Sequence, residues 1–151
     1  MSFTITTEQI KSLRDATGVS VMQCRKALTE AGGDIAKALV LLKKRGAEAA
    51  TKKAGRALGA GAVASYIHPG ATVGALVLLS SETDFVSRNP EFQALARDIA
   101  MHVAAMSPGP SELLDQPFIK KPEQTVRVLI ESAVQKFGER IEVADFTRFA
   151  A

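Results

Sequence analysis

Apolar residues recur at helical spacing three times in the first 46 positions. They then form two strand-like runs after residue 60, return to helical spacing twice, and close on an alternating run. Thr6 and Gln9 stand at capping-box spacing, and the helix they open carries Ile10 and Leu13 inward to about Asp15. Thr17-Gly18 ends it, because glycine best tolerates a left-handed stop. Ser20 and Gln23 repeat the capping spacing before Met22, Cys24, Ala27, Leu28 and Ala31, and Gly32-Gly33 break this second helix. Asp34 caps a third with Ile35, Ala38, Leu39 and Leu42, and Gly46 is read as its stop. Residues 1–46 thus form a three-helix bundle near the lower size limit for independent folding. Val19, Val21 and Met22 crowd one helix start, so Val21 and Met22 are either core or an exposed apolar contact for a partner helix.

Residues 47–59, rich in Ala and Lys, read as a helical linker ending at Gly59-Ala60-Gly61. From residue 60 to 151 the pattern is α+β. Ala62 to His68 and Thr72 to Ser80 flank Pro69-Gly70 as an antiparallel hairpin. The second run, Val73 to Leu79, is apolar on both faces. It is a central strand covered twice, or covered once with a partner on the other side. Asn89-Pro90-Glu91 opens a helix whose face holds Phe92, Leu95, Ala96, Ile99, Val103 and Met106. His102 lies at the edge of that face, as a boundary histidine or a contact residue. Ser107 to Lys121 is a Pro-rich connection holding Phe118-Ile119. Pro122-Glu123 is read as the start of another helix, with Val126, Leu129, Ile130, Ala133 and Phe137 on one face and Gly138 as the stop. Ile141 to Phe149 is the last strand, and a slip in its alternation near Ala144 predicts a bulge. The order β-β-α-α-β gives a small antiparallel three-stranded sheet with helices packed on it.

One stretch resists that division. Glu82-Thr83-Asp84-Phe85-Val86 sets an acid beside a large aromatic where the chain leaves the hairpin. Phe is ordinarily buried, so a Phe at the tip of a connection predicts a partner. Composition narrows the partner only slightly. A net charge of +3 is too mild to identify a nucleic-acid binder. The clustered cations Lys43, Lys44, Arg45, Lys52, Lys53 and Arg56 are a solvated helix face or an attraction for an acidic partner, protein or RNA. No apolar run reaches membrane-spanning length, and Met1 to Glu8 lack a secretory pattern. With one cysteine, Cys24, a cytoplasmic setting is expected.

Little points to catalysis. No Gly-Lys-Ser/Thr loop is present, and Gly59-x-Gly61-x-x-Ala64 follows a helix and precedes a strand, the reverse of a dinucleotide-binding turn. His68 and His102 are not at metal spacing with any acid or thiol, so no metal or cofactor is expected. Glu82 and Asp84 lack a neighbouring histidine or nucleophile for acid–base work, and Cys24 reads as a small core residue. The chain is expected not to be an enzyme.

Leu13-Arg14-Asp15-Ala16-Thr17-Gly18-Val19-Ser20-Val21-Met22-Gln23-Cys24-Arg25-Lys26-Ala27-Leu28 resembles the N-terminal signature of the bacterial elongation factor Ts family. Glu82 to Asn89 looks like the family's second signature, and Ile99 to Ala105 and Gln116 to Ile119 resemble further stretches in the same order. The resemblance implies a ubiquitin-associated-type bundle and guanine-nucleotide exchange on elongation factor Tu. It implies docking through Arg14, Val21, Met22 and Arg25, and a loop of Thr83, Asp84, Phe85 and Val86 reaching toward the partner's magnesium and nucleotide. His102 and Ile119 are implied on the same contact surface. Many members carry two core halves, whereas this chain reads as one core unit, which a homodimer would complete. The rival readings are an interaction adaptor without exchange activity and an RNA binder using the 43–56 cluster. The missing aromatics count against RNA, so no direct nucleic-acid contact is expected.

Overall fold

The computed structural model describes residues 3–151; Met1 and Ser2, which open the stretch read for a leader, lie outside them. The first three helices are α1 (Thr7–Thr17), α2 (Val21–Glu30) and α3 (Ile35–Lys53). Local chemistry sets their starts. Thr6 and Gln9 make both bonds of the capping box, Ser20 accepts from the Gln23 N–H, and Asp34 accepts from the Lys37 N–H. Gly18, in the left-handed region at φ 70°, ends α1. Leu13, Val19, Cys24, Ala27, Leu28, Ala38 and Leu42 form the bundle's core.

α3 runs through Gly46 to Lys53 as one helix, so Gly46 is not the stop expected of it. Gly46 is buried, and a Cβ there would lie 3.3 Å from the Glu131 carbonyl of α6 (Val126–Phe137). A missing side chain lets two helices approach closely, and α3 crosses from the bundle core to α6 as a continuous strut. Ala49 and Ala50 on its last turns pack against the second core.

That second core lies under a three-stranded antiparallel sheet of order β1-β2-β5: β1 (Ala60–Ile67), β2 (Val73–Ser81) and β5 (Glu142–Ala150). The α+β expectation holds, and so does the bulge: Leu78 pairs with Asp145 and Leu79 with Val143, leaving Ala144 unpaired. α5 (Pro90–Met106) covers one face of the sheet. Its Phe92, Ala96, Ile99 and Val103 meet Ala75, Val77 and Leu79 of β2. The opposite face of the same strands leaves Val63, Ile67, Leu76, Leu78 and Phe149 exposed. β2 is therefore the singly covered strand of the two alternatives.

The connection from α5 to α6 differs from expectation. It holds a short 3-10 turn (Leu113–Asp115) and a small hairpin, β3 (Pro117–Phe118) and β4 (Lys121–Thr125). Pro122 and Glu123 sit in β4 and do not start the helix. Thr125 caps α6 by accepting from the Val128 N–H. Among the described residues, no helix is long and apolar enough to cross a membrane.

Candidate partner-contact site

The stretch after β2 is one turn of helix, α4 (Asp84–Ser87). Four residues cannot hold a helix by their own hydrogen bonds. The turn is fixed from below and from the side. Val86 and Ser87 are buried against the second core, while Asp84 is exposed and Phe85 is 88% exposed. Beside the turn stands Glu139, just past the left-handed Gly138 that ends α6. Its carboxylate accepts the Glu82 N–H (3.1 Å), the Thr83 N–H (3.0 Å) and the Thr83 hydroxyl (2.6 Å). The Thr83 hydroxyl is thereby turned away from capping its own helix. A reciprocal contact runs back: Glu82 accepts the Arg140 N–H and faces Arg56 at 3.5 Å. Ser81 donates to the Thr83 carbonyl (3.0 Å).

On the bundle, Met22 is 81% exposed and Val21 is also exposed at the first turn of α2, between exposed Arg14 and Arg25. Buried Val19 seats this turn. The Cys24 thiol donates to the Val19 carbonyl (3.6 Å), and burial pushes its pKa up, which makes it an inert core thiol.

The third group is the β3–β4 hairpin, whose tip exposes Ile119. His102 is fully buried beneath it, stacked on Phe118 with ring centroids 5.8 Å apart. Its Nδ1 accepts the Ile119 N–H (3.1 Å), so in the neutral ring Nε2 carries the proton and donates to Gln116 Oε1 (2.9 Å). Burial lowers the His102 pKa, partly offset by the Gln116 bond.

The structure thus sorts the sequence-derived residues. Arg14, Val21, Met22, Arg25, Thr83, Asp84, Phe85 and Ile119 reach solvent. Val86 and His102 do not; burial leaves them as supports, so neither is a surface contact in the free chain. The three groups are linked. Lys121 Nζ of the hairpin donates to the Ala16 carbonyl at the end of α1 (2.9 Å). Lys136 pairs with Glu91 and lies 3.6 Å from where a Gly18 Cβ would be. Sequence reasoning missed Glu139, Gln116 and Lys121. Among the described residues, no His, Cys, Asp and Glu cluster could hold a metal ion.

Fold and geometry together define a class: an α+β protein whose helical bundle is strapped to a sheet-and-helix unit, with exposed apolar side chains presented on short, externally braced turns. The family model described as elongation factor TS matches residues 11–111. The elongation factor Ts of Geobacter sulfurreducens is 39% identical, with 96% of this chain and 88% of that protein aligned. Those of Acetivibrio thermocellus (37%; 96% and 89%) and Anaeromyxobacter sp. strain Fw109-5 (39%; 96% and 87%) are similar to it as well. This chain belongs to the elongation factor Ts family. The first of these alignments spans 191 positions against the chain's 151 residues, so that relative carries segments this chain lacks.

Proposed function

We infer that the chain is a guanine-nucleotide exchange factor for elongation factor Tu, acting in the cytoplasm during translation elongation. The observation that carries this reading is Phe85, a large aromatic held 88% exposed on a braced turn beside Asp84. GTPases hold GDP largely by its phosphates, through backbone N–H groups, a lysine and Mg²⁺. An aromatic wedged beside the metal's surroundings disturbs that cradle without touching guanine. A factor that prefers the nucleotide-free partner must weaken GDP, as GDP weakens it.

In this reading Arg14, Val21, Met22 and Arg25 dock the bundle on a partner helix. Thr83, Asp84 and Phe85 enter near the magnesium, and Ile119 adds a contact. Val86 and His102 support the turn and the hairpin. The open apolar face of the sheet, with Val63, Ile67, Leu76 and Phe149, supports self-association of this single core unit. The test is release of a fluorescent GDP analogue from elongation factor Tu. The parent chain accelerates release, and Phe85→Ala slows it about 30-fold or more, the effect of losing a central interface residue. A chain that binds elongation factor Tu without accelerating release is an adaptor instead.

A further inference from the structure

The carboxylate that holds Thr83, at the start of the Phe85 turn, lies 56 residues further along the chain. We propose that Glu139 is the positioning residue of the exchange turn: its carboxylate aims Phe85 at the partner, a role that rests on the exchange reading above. Three bonds from one carboxylate converge on the two residues before α4. Two of the donors are backbone N–H groups, so the clamp fixes the path of the main chain as well as a side chain. Bonds to an ionised acceptor are the strong class of hydrogen bond. Thr83 makes no side-chain cap to its own helix, and its hydroxyl goes to the Glu139 carboxylate instead.

Glu139 is itself well seated. Gly138, at φ 72°, ends α6 and turns the chain toward β5. Phe137, one residue earlier, meets Phe92 edge to face with centroids 6.0 Å apart, and Phe92 opens the helix that follows the exchange turn. The neighbouring Arg140 N–H returns a bond to Glu82, so residues 139–140 and 82–83 hold each other in both directions. Without the carboxylate, buried Val86 and Ser87 still anchor the far end of the turn. The near end keeps the Arg140 bond to the Glu82 side chain but loses both main-chain ties to residue 139, and Phe85 shifts with it. A displacement of about 1 Å in a group that must be placed for a reaction is enough to slow it by one to two orders of magnitude.

The test measures release of a fluorescent GDP analogue from elongation factor Tu as a function of factor concentration. Glu139→Ala is expected to slow release at saturation about tenfold, with little change in the half-saturating concentration, because Met22, Val21 and Ile119 still dock. Glu139→Gln is expected to restore release, since its amide oxygen accepts both N–H groups and its NH2 donates to the Thr83 oxygen. Thr83→Val, which removes one of the three bonds, gives a smaller loss in the same direction. In a Phe85→Ala background, Glu139→Ala adds no further slowing. In the free chain, amide hydrogen exchange at Glu82 and Thr83 speeds up in Glu139→Ala while the melting temperature changes little. The proposal is overturned by a Glu139→Ala chain as fast as the parent, by a loss of equal size in the Phe85→Ala background, or by unchanged protection of the two amides. If Phe85→Ala itself exchanged like the parent, the Phe85 wedge would fall instead, and the amide result would still decide whether Glu139 clamps the turn.

Discussion

Met22 and Phe85 are both large apolar side chains held in solvent, 81% and 88% exposed, yet they are mounted in opposite ways. Met22 stands on the first turn of a ten-residue helix whose cap, Ser20, is two residues before it. Phe85 stands on four residues of helix held by a carboxylate more than fifty residues away. The first mount is local and the second is tertiary. A local mount keeps its shape as long as its helix survives, which suits a docking contact. A tertiary mount depends on the packing of α5, α6 and the sheet together, which suits a part that must arrive at one angle.

The sharpest way to break the comparison is Phe92→Ala. Phe92 is fully buried and meets Phe137, which leads into the Glu139 turn. Truncation is expected to cost about 3–5 kcal/mol by the usual range for a core Phe. Urea unfolding monitors the loss. Exchange activity falls further than the affinity that Met22 supports, because only the tertiary mount is loosened. Equal losses in affinity and release would show that both mounts share one support.

Gly46→Val attacks the strut that joins the mounts. Its new atoms meet the Glu131 carbonyl at 3.3 Å, a backbone group that cannot swing aside. Overpacking of this kind is expected to cost about 2 kcal/mol, read as a fall in the denaturation midpoint. The same change alters the spacing of Met22 and Phe85, so affinity for elongation factor Tu falls even under conditions where the variant is fully folded.

How much of this was legible in the sequence follows the same division between local and tertiary. The caps at Thr6, Ser20, Asp34 and Asn89 were readable because donor and acceptor lie within three residues. The bulge at Ala144 was readable because it broke a period of two. Gly46 misled because a glycine after Lys43-Lys44-Arg45 imitates a basic last turn and stop, and only α6 explains its use inside a helix. Pro122-Glu123 imitated Pro90-Glu91, but no capping residue precedes it; Thr125 was the cap. His102 read as a boundary residue because the hairpin groups that bond it lie fourteen to seventeen residues further along the chain, beyond the end of α5. Glu139 gave no local signal at all: an acid after a helix-ending glycine has many uses, and its partners are set by the sheet.

Ser20→Ala tests the local mount alone. Losing this cap is expected to cost about 1 kcal/mol, visible as a small drop in the melting temperature. Affinity weakens modestly as the first turn of α2 frays, while release at saturating factor is unchanged. A slowed saturated rate would mean that the bundle also takes part in opening the nucleotide site.

The smallest expected effect is on pH, and it belongs to the tertiary side. His102 is neutral and doubly bonded, and burial lowers its pKa below the ordinary histidine value. The unfolded chain therefore takes up the proton first as pH falls. Its contribution to stability is complete above the ordinary value of about 6.5 and declines as acid is added, down to the lower folded value. Protonation also replaces the acceptor at Nδ1 with a donor facing the Ile119 N–H. Among the charged groups on the surrounding elements, Asp98 is engaged with Lys120, Asp115 with Arg127, Lys121 with the Ala16 carbonyl and Arg148 with the Ala104 carbonyl. Urea unfolding at pH 7.5 and 5.5 should show a lower midpoint in acid, and His102→Gln, whose amide can keep both bonds, should flatten that difference. Amide exchange at Ile119 should quicken in acid in the parent and not in the variant, while Val21 and Met22 on the locally capped helix show no such change. An acid response of equal size at Met22 would mean that the hairpin, through Lys121 and Ala16, carries the bundle with it, and the two mounts would then be one.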